Sequence, residues 1–177
     1  DGTLYGEMAT STSPNSGWTT GKHGSALSFD GVDDYISLSN NIFDSLVTSG
    51  YTISSWVFPK EYGASDRIVS LEGRIAELRM ANNKWRFAIY DGTDTIFVDS
   101  DDTINNNLNK WYHVVLRYDD NGNMVMFVNG ILQSETTSGT PDNTQDRTST
   151  IGSNYAGSGN YFNGLIDDVR IYNYARM

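Results

Sequence analysis

The sequence predicts an all-β fold, two antiparallel sheets packed as a β-sandwich, and three observations carry that expectation. Apolar and polar residues alternate in short runs, the period of a strand with one buried face. The runs are punctuated by Gly, Asn, Asp and Ser, including Asn121-Gly122 and Asn129-Gly130, pairs that hairpins favour because their turns need positive φ. Only residues 41–48, with Ile42, Phe43, Leu46 and Val47, have helical spacing. Crossover helices that would cover a parallel sheet are therefore missing, which excludes a parallel α/β fold.

The elements follow in chain order. Residues 26–29 place Leu27 and Phe29 on one face; after the turn 30–34, residues 35–38 do the same with Ile36 and Leu38. Residues 51–58 are rich in β-branched and aromatic side chains and stop at Pro59, which lacks the amide that a ladder needs. Residues 67–71 and 75–80 follow, and Asn82-Asn83 turns the chain into 84–90. Asp91-Gly92 leads to 95–98. Residues 111–118 and 124–128 flank the Asn121-Gly122 turn, and Asn129-Gly130 leads into Ile131-Leu132. The last strand spans 165–172. That makes about eleven to thirteen strands at roughly 8–15 residue spacing, the rhythm of a sandwich.

Composition sets the outer limits. The 177 residues suit one domain, 1–177, with 3 Pro and no low-complexity linker to mark a boundary. Hydrophobic residues make up 38% and aromatics 12%, enough to bury a core, so wholesale disorder is excluded. The 22 acidic residues against 12 basic give a net charge of −10, which repels phosphate backbones and argues against nucleic-acid partners. No apolar run approaches the ~18 residues of a membrane span. With no Cys there are no disulfides, thiolate metal sites or cysteine nucleophiles. The start at Asp1 reads most simply as a piece cut from a larger protein or a processed form.

Four segments, in order, resemble the laminin-G-like jelly roll of the concanavalin A-like lectin/glucanase superfamily: 24–35 (GSALSFDGVDDY), 51–57 (YTISSWV), 111–115 (WYHVV) with 127–130 (FVNG), and 162–173 (FNGLIDDVRIYN). The resemblance implies two large curved antiparallel sheets. It also implies a first strand shortened ahead of Gly2-Thr3-Leu4. It leaves function open among lectins, carbohydrate-binding modules, adhesion domains and glycosidases.

Two acidic places stand out. Asp30, Asp33 and Asp34 share one turn, and Asp167 and Asp168 interrupt an apolar strand. In Ile166-Asp167-Asp168-Val169 the apolar positions lie three apart, which a β-bulge explains. A carboxylate beside a buried strand needs a partner, and a calcium ion taking carboxylate and backbone oxygens is one. In this superfamily such ions tie loop to sheet, so the resemblance implies a structural calcium held by Asp30 and Asp168, with Asp33 and Asp167 as further candidates. The alternative is that Asp30 caps its turn and Asp168 pairs with Arg170. Residues 119–130 fail as a calcium-binding EF-hand loop, with Met124 at the glycine position and Gly130 at that of the bidentate glutamate.

Catalysis finds no support in the residues. Glycosidases of this superfamily carry a strand of the form Glu-x-Asp-x-x-Glu, and none occurs here. Binding is the leading expectation. Sugars stack on aromatic rings and take hydrogen bonds from Asn, Asp and Arg. Trp56, Trp111 and His113 fall in core-type strands. The candidates for ligand contact are therefore Tyr62, Arg67, Trp85, Tyr90, Tyr155 and Tyr161, the last two in a Gly/Ser-rich recognition-type loop. The expected function is a non-catalytic carbohydrate-binding module, joined to other domains of an extracellular or cell-surface protein. A structural or adhesion domain that binds protein, and a glycosidase or lyase, are the alternatives.

Overall fold

The structure is a computed structural model and describes residues 2–9, 17–38, 50–72, 75–104, 107–142 and 147–176. The expected short helix at 41–48 lies outside them. The fifteen described strands are β1 (Thr3–Tyr5), β2 (Gly17–Thr20), β3 (Ser25–Asp30), β4 (Tyr35–Ser37), β5 (Tyr51–Pro59), β6 (Arg67–Leu71), β7 (Ala76–Ala81), β8 (Lys84–Tyr90), β9 (Thr95–Asp99), β10 (Tyr112–Tyr118), β11 (Asn123–Val128), β12 (Ile131–Leu132), β13 (Thr137–Ser138), β14 (Thr150–Ile151) and β15 (Asn163–Tyr172). They form a seven-stranded sheet, order β1-β4-β14-β6-β7-β8-β9, and an eight-stranded sheet, order β12-β11-β10-β5-β15-β3-β2, with β13 paired to β11. All described pairings are antiparallel.

The local chemistry is that of the predicted turns. Asn82 and Asn83 both take positive φ between β7 and β8, as do Asn129 and Gly130 between β11 and β12, the twist-matched geometry of a tight hairpin. In the β10–β11 turn the Asp119 carboxylate accepts from the Asn121 and Asn123 amides and from Asn123 Nδ2. Those acceptors are spent on closing a hairpin.

The core lies between the inner faces. Tyr51, Ile53 and Val57 of β5 and Val114 and Leu116 of β10 face Leu78, Phe87 and Val98 of the other sheet, all fully buried. The alternate residues of β5, Thr52, Ser54, Trp56 and Phe58, must point to the outer face of the eight-stranded sheet. Register extends that face across the sheet: Trp56 pairs with His113 and Asp167, Ser54 with Arg170, Thr52 with Arg117 and Tyr172, and Val115 with Phe127. The expected bulge is present, with the β15 register slipping between Asp167 and Arg170 and Asp168 held at φ 48°.

Candidate functional site

The six expected ligand residues do not form one site. Arg67 is buried, its Nε 3.2 Å from Glu77 Oε1 and its Nη1 donating to Ser65. That guanidinium is committed inside the protein. Trp85 is 2% exposed and packs at 5.4 Å against Tyr112; it is a core residue whose ring faces are covered. The Tyr62 hydroxyl accepts from the Asn83 amide at the start of β8, while Tyr90, at the end of β8, donates to Gly92 O. About six residues of strand, roughly 20 Å, separate the two ends. Tyr161 packs toward Tyr35, which stacks on Tyr5 at 4.6 Å, and Arg147 lies over the Tyr155 ring at 4.1 Å. These two tyrosines flank β4 at the far side of the seven-stranded sheet, and they shape a loop of their own.

The four expected metal residues also divide. Asn163 pairs with Asp30, so Asp167 sits four residues farther along β15, roughly 13 Å away. Asp168 Oδ1 lies 2.8 Å from Arg170 Nε, and Asp167 Oδ2 accepts from the His23 amide at 2.8 Å. Neither shares a site with Asp30 and Asp33. Asp34 does: ligand-type oxygens of Asp30, Asp33 and Asp34 lie within 4.8 Å of one another. Asp34 is fully buried and accepts from the Met8 and Asp30 amides, while Asp30 Oδ1 accepts from Val32 and Asp33. Beside them Gly6, at φ 77°, leaves open a cradle. A Cβ there would meet Asp34 Oδ1 at 2.6 Å, Asp33 O at 2.7 Å and Asp33 Oδ1 at 2.8 Å. An all-oxygen donor set of this kind fits a hard cation such as calcium.

The outer face of the eight-stranded sheet gathers what the expected residues do not. A groove of about 390 Å³ crosses it, bounded by His113 and Val115 of β10, Phe127 of β11, and Arg170 and Tyr172 of β15, over Ser54 of β5. Asp168, displaced onto the rim by the bulge, and Arg176, whose guanidinium lies 4.4 Å over the Tyr172 ring, complete it. At one end Trp56 stacks on His113 at 4.9 Å, with His23 against its edge and Lys22 Nζ 4.9 Å from its centroid. Burial pushes the His113 imidazole below its ordinary value, with Arg170 and His23 acting the same way and Asp168 opposing them. A neutral ring there offers one donor and one acceptor.

Trp56 and His113 were expected as structural residues of core-type strands, His113 either packed or surface-facing. The signal that places them outside was available, because Trp56 shares its period-2 phase with Thr52 and Ser54. The combination of ring surface, hydroxyl, carboxylate and guanidinium in an open groove suits a ligand with both apolar faces and many hydroxyls.

A sequence profile described as the concanavalin A-like lectin/glucanases superfamily, Laminin_G_3, matches residues 30–177. No curated protein matches the chain in sequence. Solved structures share the fold. The binding domain of Paraclostridial Mosquitocidal Protein 1 superposes with a TM-score of 0.69 at 16% identity, over 93% of this chain and 44% of that one. Domain 4 of AbnA, a GH43 extracellular arabinanase from Geobacillus stearothermophilus in complex with arabinotriose, gives 0.65 at 22% identity, over 99% and 84%. The receptor binding domain of botulinum neurotoxin C/D mosaic serotype gives 0.69 at 16% identity, over 100% and 44%. The chain thus spans under half the length of the mosquitocidal and neurotoxin domains. At these identities the likeness is one of fold.

Proposed function

The chain belongs to the Laminin_G_3 family of the concanavalin A-like lectin/glucanase superfamily, and on that premise we propose that it is a non-catalytic carbohydrate-binding module whose ligand lies in the groove on the outer face of the eight-stranded sheet. The groove itself carries the reading. It sets the rings of His113, Phe127 and Tyr172 beside Ser54, Asp168, Arg170 and Arg176, so a pyranose or furanose can rest an apolar face on a ring while its hydroxyls find polar partners. Such a module acts by tethering. Modest affinity raises the local concentration of whatever domain is joined to it, and an extracellular or cell-surface setting follows from a polysaccharide ligand. The carboxylates of this face are engaged structurally, Asp167 by the His23 amide and Asp168 by Arg170, which supports binding over hydrolysis.

The calcium belongs to the same proposal, now at Asp30, Asp33 and Asp34. The ion would offset three clustered carboxylates and fix their turn to the segment carrying Met8, whose amide already reaches Asp34. Its role is structural.

Affinity electrophoresis through gels carrying a panel of polysaccharides tests the reading. Phe127→Ala is expected to weaken retention about three- to tenfold through lost ring contact, with melting little changed. Release of reducing ends would overturn the non-catalytic assignment. Retention by no polysaccharide, together with specific capture of a protein partner, would replace the sugar reading with an adhesion domain.

A further inference from the structure

The cations of this acidic chain are distributed unevenly, and the unevenness bears on the ligand. On the outer face of the seven-stranded sheet Arg67 and Arg79 lie beside Glu77, and Arg86 makes a two-pronged pair with Asp99. Those three charges are consumed, although Lys84, two residues before Arg86 on β8, makes no ion pair among the described residues. On the outer face of the eight-stranded sheet stand Lys22, Lys60, Arg117, Arg170 and Arg176, against the carboxylates Asp167 and Asp168 and, at the turn beyond Arg117, Asp119. Among the described residues only Arg170 of the five forms an ion pair. Lys22 rests on Trp56, Lys60 Nζ donates to Ser28 Oγ, Arg176 lies over Tyr172, and Arg117 Nε is buried without a hydrogen-bond partner.

Register orders these groups along β5. Ser28, which holds Lys60, pairs with Leu165 and so lies level with Phe58. Lys22 lies at Trp56, Arg170 at Ser54, and Arg117 at Thr52, whose Oγ1 takes the Arg176 amide. Successive levels are two residues, roughly 7 Å, apart, so the stripe runs about 20 Å along one strand. A folded chain of net charge −10 that sets five cations in file along one sheet face, four of them without an ion pair and two of them, Arg170 and Arg176, lining the groove, creates a local field opposite to its overall one.

We propose that the ligand of this groove is an acidic polysaccharide, its carboxylates or sulfates lying along the Lys60–Lys22–Arg170–Arg176 stripe. The inference rests on the sugar-binding reading and narrows it to anionic chains. The whole chain is run by affinity electrophoresis against polygalacturonate (carboxylate), dextran sulfate (sulfate), and neutral arabinan and dextran, at low and at physiological salt. Retention by an acidic polymer well above the neutral ones is expected, falling as salt rises. Lys22→Gln and Arg176→Gln, both at the surface, should each weaken it about two- to fivefold, the range of an exposed charge pair. Their melting temperatures serve as the control for folding. Equal or stronger retention by arabinan or dextran, insensitive to salt and to both variants, overturns the acidic ligand and leaves sugar binding standing. Retention by none of the four overturns the acidic ligand, and retention by none of the wider panel overturns sugar binding as well. Which of the two acidic polymers is held distinguishes carboxylate from sulfate recognition.

Discussion

Removing Glu77 is the sharpest test of how the seven-stranded sheet is held together. The side chain is 1% exposed, that of Arg67 is 3% exposed, and their Nε–Oε1 separation is 3.2 Å; Arg79 Nη1 stands 3.8 Å from the other oxygen. Glu77→Ala leaves the Arg67 guanidinium desolvated beside its two Ser65 acceptors. Breaking a buried pair from one side costs about 3–5 kcal/mol, a fifth or more of the ~5–15 kcal/mol that holds a domain folded. For a chain of this size the melting temperature should fall by about 6–20 °C. Urea unfolding followed by tryptophan fluorescence measures the loss. The double variant Arg67→Met/Glu77→Leu should recover much of it, because the stranded charge is gone. Polysaccharide retention of the folded fraction should be unchanged throughout. If Glu77→Ala costs under about 1 kcal/mol, or Arg67→Ala abolishes retention at wild-type stability, then Arg67 is a ligand residue and the reasoning fails.

Three further outcomes follow from the same structure. Gly152 sits at φ 87° with its absent Cβ directed into the Phe29 ring, so Gly152→Ala combines backbone strain with overpacking and should destabilise by about 2–4 kcal/mol in urea. Burial raises the Asp66 carboxyl to about 6, helped by Glu61 and opposed by the Gly63 amide and Arg67. The folded state therefore holds a proton that the unfolded state releases, and stability contributed by this group falls as pH rises from about 4 to about 6. Asp66→Asn should flatten that part of the melting-temperature profile, and an unaltered profile would refute the assignment. For calcium, chelation should lower the melting temperature of the wild type, and Asp33→Asn, at an exposed ligand, should remove the response while leaving the metal-free stability in place. Metal analysis showing no bound calcium in the wild type would sink the site.

Much of the sandwich was legible because one-sided burial leaves a period-2 trace. Residues 51–58, 84–90 and 124–128 were each read within about one residue of β5, β8 and β11, and the doubled aspartate at 167–168 was read as the bulge that the register shows. The strands that escaped, β2, β13 and β14, are two to four residues long. Thr150-Ile151 is a strand only because Ser37 and Ser70 flank it in space.

The site was less legible, for reasons of register. Arg67 looked like a free loop-edge cation because its partner Glu77 is on the next strand, two residues from Arg79, which the register sets opposite Arg67 at a bulge between Arg67 and Val69. Asp30, in its turn, and Asp168, in its strand, were joined through one ion that the resemblance implies; the pairing of Asn163 with Asp30 shows that they lie apart. Trp56 was misread for a different reason. Its phase pointed outward, but a tryptophan among strand residues invites assignment to the core, and Lys22, His23 and His113 keep it half-buried on the outer face.

The position of the ligand is read most directly from a chemical-shift map of the amides in the ¹⁵N-labelled chain, recorded during titration with oligosaccharides cut from whichever polysaccharide retains it. The shifted resonances should centre on Ser54, His113, Phe127 and Arg170, with the seven-stranded sheet silent. Shifts concentrated instead at Tyr155, Tyr161 and their loop, with the eight-stranded face unmoved, would contradict that position.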